Sequence, residues 1–362
     1  MPLHCEISMG DDSRQEPTDV STQSLLWTPG KGWPPRPRDG MRLFALQATA
    51  ELGKAIADGL GQPLSLHEER EFEDGEHKAR PLDPVIGTHV YVIQSLHGGP
   101  SMSANDKLCR LLFFIGALKD AGAARVTAVV PYLCYARKDR RTKPNDPVTT
   151  RYVASMFEAV GADVVVTLEV HNPTAFENAF RCRTVTLTGA PLFVAYAREL
   201  ADDNLCVVSP DTGGAKRAEL FRETLEIASG HPVRKAFADK HRSAGVVSGD
   251  LFVGDVAGST ALIIDDLIST GGTLLRAAKA ARKAGARRVM ALVTHGLFMA
   301  GSAEVLADPA IDRLVVTDTV PPFGLPAGAA RDKLVILPAA PLLSEAIARL
   351  HDNRALTDLL VF

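Results

Sequence analysis

No stretch of this chain is apolar for long enough to cross a membrane. The longest apolar run in its 362 residues is the eight from Leu111 to Leu118, Gly116 included, against about 20 for a spanning helix. An excess of one charge is also missing. Forty Lys and Arg stand against 43 Asp and Glu, a formal net charge of −3. No nucleic-acid or membrane partner is therefore expected through bulk charge, and any anion site must be local. Cysteine is scarce: Cys5, Cys109, Cys134, Cys182 and Cys206 are odd in number, widely spaced and free of any C-x-x-C pair. That pattern argues against structural zinc or a disulfide framework and fits a reducing cytoplasm. The N-terminus lacks a basic segment followed by an apolar core, so no secretory signal is expected. Aromatics make up only 6% of the chain, which favours an aliphatic α/β core over an aromatic-rich sandwich.

The length fits about two domains. Residues 1–40 hold six of the 23 prolines and no sustained periodicity, the composition of a flexible extension. Trp27 and Trp33, the only tryptophans, are side chains suited to docking on the body. From Met41 onward, apolar runs of four or five residues alternate with longer Ala-rich segments. Val90–Gln94, Val126–Val130, Val164–Leu168, Leu205–Ser209, Ala261–Ile264 and Val289–Val293 read as buried strands. Buried strands separated by helices are the pattern of a doubly wound α/β fold with parallel sheets. An internal echo points to one unit used twice. Ala121–Val130 and Ala284–Val293 share seven of ten residues and lie 163 apart, each reading as a helix end, a Gly stop and a strand. Expected divisions are 41–188, 189–350 and a tail at 351–362.

The sharpest segment follows the strand at Ala261. Asp265 and Asp266 come at the C-terminal edge of a buried strand, where open α/β sheets place ligands. Ser269-Thr270-Gly271-Gly272-Thr273 then turns into an Ala-rich helix. Adjacent glycines let backbone N–H groups point at an anion at the helix start. The segment is neither a Walker A loop nor a dinucleotide fingerprint. An acid pair before a phosphate cradle complements a ligand with vicinal hydroxyls and a monophosphate, as in ribose 5-phosphate. Other segments leave two readings open. Arg137 to Lys143 packs five cations into seven residues, either a polyphosphate grip or a solvated basic turn. His171 ends a buried strand as a structural histidine or a ligand. Asp211 precedes a Gly-Gly turn as a cap or a Mg²⁺ carboxylate. Lys240 and Arg242 lie in Ala236–Gly249, a stretch of little periodicity that is a linker or a mobile lid.

Together these segments resemble the ribose-phosphate diphosphokinase family, whose phosphoribosyl diphosphate loop is shared with phosphoribosyltransferases. Glu71–Glu76 resembles its F-x-D/N-G-E element, and Pro131–Arg141 its P-Y-x-x-Y-A-R-Q-D-R segment. Leu168–His171 stands where the family has V-D-L-H. Ser209–Arg217 resembles S-P-D-x-G-G-x-K-R, and Asp239–Arg242 the short Lys-x-Arg element. These elements, in family order, cover about residues 42–350.

The resemblance implies two similar parallel-sheet domains of phosphoribosyltransferase type, ATP as co-substrate and Mg²⁺. It places ATP contacts at Phe72, Asp74, Gly75, Glu76, Arg137, Lys138 and Arg140, and the metal at His171 and Asp211. Ribose 5-phosphate falls to Asp265, Asp266, Ser269, Thr270, Gly271, Gly272, Thr273 and Arg242. Lys240 and Arg242 are the catalytic pair. Because the Asp74–Glu76 group acts across a subunit interface in the family, a homo-oligomer is implied. A phosphoribosyltransferase and a non-catalytic regulatory paralogue are the rival readings, the latter expected to lose the Lys-x-Arg pair or the metal residues. Three positions depart from the pattern: Lys138 for glutamine, Glu169 for aspartate and Ser269 for aspartate. Lys240→Ala is expected to lower turnover by orders of magnitude with the fold intact, since a preorganised cation at the transferred group is lost. Near-normal steady-state rates would overturn that role for Lys240.

Overall fold

Short runs of Val, Ile, Leu and Ala, buried on both faces, build two parallel sheets in the computed structural model, which describes residues 27–30, 35–200, 202, 204–243 and 246–360. The first sheet begins with β1 (Met41–Ala45) and α1 (Ala50–Leu60). A hairpin, β2 (His67–Glu71) and β3 (His77–Pro81), leads to β4 (His89–Ile93). Then come α2 (Ala104–Asp120), β5 (Arg125–Val130), α3 (Thr149–Ala159), β6 (Val164–Leu168), α4 (Pro173–Ala179) and β7 (Arg183–Leu187). Strand order is β1-β4-β5-β6-β7, every pair parallel.

Crossing to the second sheet are α5 (Ala190–Glu199), β8 (Leu205–Ser209) and α6 (Ala215–Ser229), then a hairpin of β9 (Arg234–Ser243) and β10 (Val246–Val253). It continues with β11 (Thr260–Ile268), α7 (Gly272–Lys283), β12 (Arg288–Gly296), α8 (Ser302–Leu306), β13 (Arg313–Thr317), β14 (Leu334–Leu337) and α9 (Ala340–His351). Its order is β10-β9-β8-β11-β12-β13-β14, with only the β10-β9 pair antiparallel.

Without the hairpins the two sheets have the same order, and each hairpin is inserted at the same point, between a first helix and a second strand. The repeated segment is equivalent in detail. Gly122 and Gly285 both sit at positive φ, 88° and 94°, and their carbonyls accept from Gly87 and Gly258 N–H at 2.9 Å each. Asp163 and Asp312 accept from the strand N–H groups of Val126 and Val289, at 2.7 and 2.6 Å. Both acids also pair with a cation on the helix that leads into that strand, Lys119 of α2 and Arg282 of α7.

The fold departs from the sequence expectations at four places. Residues 1–26 and 31–34 of the expected extension lie outside the described residues, but packing begins before Met41. Trp27 is buried in the first core, and Arg38 pairs with Asp352 at 3.2 Å. Ala236–Gly249 is not an irregular loop: its described residues, 236–243 and 246–249, lie in the β9-β10 ribbon, with Lys240 paired in register to Asp250 and Arg242 to Val247. Its sequence hides this because ladder bonds hold the ribbon without an apolar run. The polar hairpin His67–Pro81 escapes notice for the same reason. Finally, α9 does not cover the second sheet alone. Leu342, Leu343, Ala346 and Ile347 close the first core against Met41, Leu43, Ile56 and Leu60. No helix among the described residues is long and apolar enough to cross a membrane.

Two histidines, His97 and His295, are buried in this framework, and a third, His89, is half-buried. His89 meets Thr127 Oγ1 at 2.9 Å, His97 faces the Gly98 carbonyl at 2.9 Å, and His295 is enclosed where the sheets meet. Burial pushes each ring from the ordinary 6.5 down to about 4. The unfolded chain therefore takes up these protons first as pH falls. Stability from the neutral rings is complete above about pH 6.5 and is lost on descent toward pH 4. Thermal midpoints are expected to drop from about pH 7 to about pH 5, and a midpoint flat across that interval would contradict this.

Candidate active site

The C-terminal ends of both sets of strands open on one cleft of about 1250 Å³. From the second sheet, β11 runs four residues further than its apolar run, carrying Asp265 and Asp266 within the strand rather than beyond it. Asp266 is 3% exposed. The chain then turns through Ser269, Thr270 and Gly271 into α7. Gly271 holds φ +83° at the N-cap, and a Cβ there would lie 2.7 Å from Leu306 Cδ2, so glycine is required on both counts. The first helical N–H with an intrahelical partner is that of Leu275, bonded to Gly271 O at 2.9 Å. The N–H groups before it are the ones a helix start leaves open to an anion. Ser269, Thr270, Gly271, Gly272 and Thr273 all line the cleft.

Beside β11, β8 ends at Ser209 and leads into the Asp211–Gly214 turn. Asp211 Oδ1 accepts from Gly214 N–H at 3.0 Å, capping the turn while leaving its second oxygen for other partners. The first turn of α6 then carries Lys216 and Arg217, both in the cleft. From the first sheet, β6 delivers Glu169 and His171. Glu169 adopts φ +50°, and its Oε2 accepts from Gly189 N–H at 2.9 Å. Its other oxygen receives Arg217 Nε at 3.0 Å.

Arg217 is the hub. Its Nη1 lies 3.5 Å from Asp265 Oδ1 and 3.4 Å from Asp266 Oδ1, so one guanidinium serves three carboxylates from both sheets. His171 Nδ1 reaches Asp266 Oδ2 at 2.8 Å, leaving Nε2 as its free ring nitrogen. Burial, and then the charge of Asp266 beside it, push the Asp265 carboxyl up. Burial also opposes charge on Asp266, but the His171 hydrogen bond and Arg217 outweigh it and hold Asp266 well below the usual range. The two acids thus titrate as a pair, with Asp266 the charged member.

Arg137 and Arg140 line the same cleft from the first sheet. Their turn is tied to the β6 end by Asn172 Nδ2, which donates to Asp139 Oδ2 at 2.7 Å. Lys138 does not line the cleft, being turned outward on the exposed face of that turn. Phe72, Asp74, Gly75 and Glu76 lie at the exposed tip of the β2-β3 hairpin, outside the cleft. There Glu76 N–H donates to Asp74 Oδ1 at 3.0 Å and the Arg70 guanidinium covers the Phe72 ring at 5.0 Å. Lys240 and Arg242 are placed by backbone register in the β9-β10 ribbon; their side chains lie outside what is described.

Sequence reasoning missed the role of Arg217 and read Glu169 only as a departure. One signal was present. Lys216-Arg217 puts two cations at a helix start, where the dipole opposes them, and such charges call for anionic partners.

The paired parallel sheets, with an acid pair and a glycine turn at a strand-to-helix junction, define a fold of phosphoribosyltransferase type. Residues 41–161 match the N-terminal domain of ribose phosphate pyrophosphokinase, and residues 248–361 match the phosphoribosyl synthetase-associated domain. The ribose-phosphate pyrophosphokinase of Caldanaerobacter subterraneus subsp. tengcongensis is 38% identical over 324 residues, covering 89% of this chain and 98% of that protein. Ribose-phosphate pyrophosphokinase 1 of Streptococcus agalactiae is 35% identical, with 88% of this chain and 96% of that protein covered. The crystal structure of phosphoribosylpyrophosphate synthetase from Mycobacterium smegmatis superposes with a TM-score of 0.76 at 32% identity, over 86% of this chain and 99% of that one. The chain belongs to the ribose-phosphate pyrophosphokinase (diphosphokinase) family.

Removing the hub has a measurable consequence. Arg217→Met leaves Glu169 and Asp266 as buried charges without their cation, and is expected to cost about 3–5 kcal/mol in a urea titration at neutral pH. A loss below about 1 kcal/mol would show that the three carboxylates do not depend on it.

Proposed function

We propose that the chain transfers the β,γ-diphosphoryl group of ATP to the anomeric hydroxyl of ribose 5-phosphate, giving phosphoribosyl diphosphate and AMP. The observation that carries this reading is the convergence of sugar-phosphate features on one sheet with His171, Arg137 and Arg140 from the other in a single cleft. In it, the N–H groups and hydroxyls of Ser269–Thr273 hold the 5-phosphate. Asp265 and Asp266 take the ribose hydroxyls, with Asp266 charged to accept. Arg137 and Arg140 bind the ATP phosphates bidentately, as guanidinium groups suit. The hydroxyl oxygen attacks the β-phosphorus in line as the bond to the α-phosphate oxygen breaks, and AMP leaves. Such transfer rests on positioning and charge neutralisation.

The donor set fits Mg²⁺. No cluster of three His, Cys, Asp or Glu forms a ready metal cage among the described residues, and Mg²⁺ commonly takes few protein ligands beside substrate phosphates and water. Asp211 keeps a free carboxylate oxygen. With the Nδ1–H of His171 donated to Asp266, Nε2 presents its lone pair, the arrangement by which a carboxylate orients a metal-binding imidazole. Mg²⁺, if held there by Asp211 and His171, would supply positive charge that offsets the ATP phosphates.

Lys240 and Arg242 remain the proposed catalytic pair, carried on the β9-β10 ribbon. Phe72, Asp74, Gly75 and Glu76, exposed and outside the cleft, would complete the ATP site of a second copy, so the working form is a homo-oligomer; Lys138 keeps its proposed ATP contact from the rim. The division of labour puts ATP on residues 41–188 and the sugar on 189–350. The described cysteines are free thiols, which suits the cytoplasm.

Mixing the purified protein with ATP, Mg²⁺ and ribose 5-phosphate should give AMP and phosphoribosyl diphosphate in equal amounts by phosphorus NMR. Folded protein that leaves ATP intact, or that instead releases diphosphate from phosphoribosyl diphosphate when a base is supplied, would overturn the reading.

A further inference from the structure

β12 ends beside β11 with His295 in register with Leu267, the residue after the acid pair. Its ring is 3% exposed and reaches out of its own sheet. Nε2 lies 2.8 Å from the carbonyl of Leu168, the last residue of β6. Nδ1 lies 2.8 Å from Thr319 Oγ1, just beyond β13. A carbonyl only accepts, so the ring proton belongs on Nε2, and the neutral ring takes a hydrogen bond from Thr319 at Nδ1. Thr317 Oγ1 lies 2.8 Å behind Thr319 Oγ1 but gives its one proton to the Thr294 carbonyl at 2.6 Å, so the Thr319 hydroxyl alone aims the imidazole of the second sheet at the first.

The same ring meets Tyr132 edge to face, with centroids 5.1 Å apart and planes at 79°. Tyr132 and His295 are 163 residues apart, the spacing of the repeated segment, so they occupy the same position in the two units and meet between them. Packing around this contact is close. A cavity of about 10 Å³ remains, bordered by Tyr132, Arg137, His171, Asp266 and His295.

We infer that His295 is a positioning residue, fixing both site segments of the first sheet against the strand that carries the acid pair. One segment is the β6 end: Leu168, held by its carbonyl, is followed directly by Glu169 and then by His171. The other is the turn that begins at Tyr132 and carries Arg137 and Arg140. His295 is not among the residues that line the large cleft. It acts through a carbonyl and a ring, setting how the nucleotide side faces the sugar side. A filler of the same size would occupy the space but leave the Leu168 carbonyl without the ring N–H and the Thr319 hydroxyl with only Thr317 beside it. The inference rests on the diphosphokinase reading of the cleft.

Three variants separate positioning from plain structural support. His295→Gln keeps an N–H donor near the Nε2 position, His295→Phe keeps a ring without it, and Thr319→Val removes the hydroxyl that aims the imidazole. Turnover, both KM values, calorimetric binding of ribose 5-phosphate alone and chemical unfolding are measured for each. His295→Phe is expected to lower kcat about tenfold or more, because small misplacements of reacting groups are costly. Its affinity for ribose 5-phosphate alone should stay within about threefold of the parent, since Ser269–Thr273 join β11 to α7 within the second sheet. His295→Gln should recover most of the rate, with Thr319→Val falling between.

Parent-like kcat in His295→Phe overturns the inference, as do equal losses in the Gln and Phe variants that track lost stability. If His295→Phe does not fold, Thr319→Val decides: unchanged kcat overturns the proposal. A parent protein that makes no phosphoribosyl diphosphate would instead overturn the functional reading. The positional claim is then read by amide exchange at residues 169–172, expected to be faster in Thr319→Val and His295→Phe than in His295→Gln; unchanged exchange would refute it.

Discussion

A single guanidinium placed among three carboxylates is the constraint on which the cleft depends. Arg217 carries a charge that no physiological pH removes, and Glu169, Asp265 and Asp266 could not otherwise crowd together behind the surface. The fork shape matters as much as the charge. Its Nε faces the first sheet through Glu169, while Nη1 faces the acid pair of the second. Other features follow in order. Asp266 remains charged, its charge orients His171, and Glu169 secures the backbone of Gly189 where the chain passes between sheets. The ion group is thus at once a joint and part of a binding surface.

Duplication explains why such a joint is possible. Open parallel sheets place binding features at the C-terminal ends of their strands, and two similar sheets set end toward end combine two such edges. The halves have then diverged in what those edges present. One offers acids, hydroxyls and open N–H groups suited to a sugar phosphate. The other offers arginines and an imidazole suited to phosphates. Even the hairpins differ: β9-β10 extends the second sheet by continuing the ladder from β8, whereas β2-β3 is a separate ribbon packed on α2.

Much of this was legible in the residues, and the exceptions have physical causes. The strands at Val164 and Leu205 match their apolar runs end to end, because full burial on both faces leaves a compositional mark. β1, at Met41–Ala45, escaped notice against its proline-rich approach. The hairpins escaped because ladder hydrogen bonds have no side-chain signature. The acid pair and glycine turn announced themselves by local spacing. Arg217 did not, since its meaning lies in partners 48 residues away in both directions, and no local pattern encodes a meeting between sheets. His295, two residues past the apolar run Val289–Val293, carried no sequence signal for the same reason.

The packing of α9 against α1 and β1 bears on how the protein can be made. The first sheet leaves the ribosome early, yet the residues that close one of its faces are among the last to be translated. Until Leu342, Leu343, Ala346 and Ile347 emerge, Met41, Leu43, Ile56 and Leu60 lack their covering layer. The second sheet, by contrast, has its own helices already at hand. The half begun first is therefore the half completed last, and a nascent chain halted anywhere before Ala340 exposes the apolar face that the finished molecule hides.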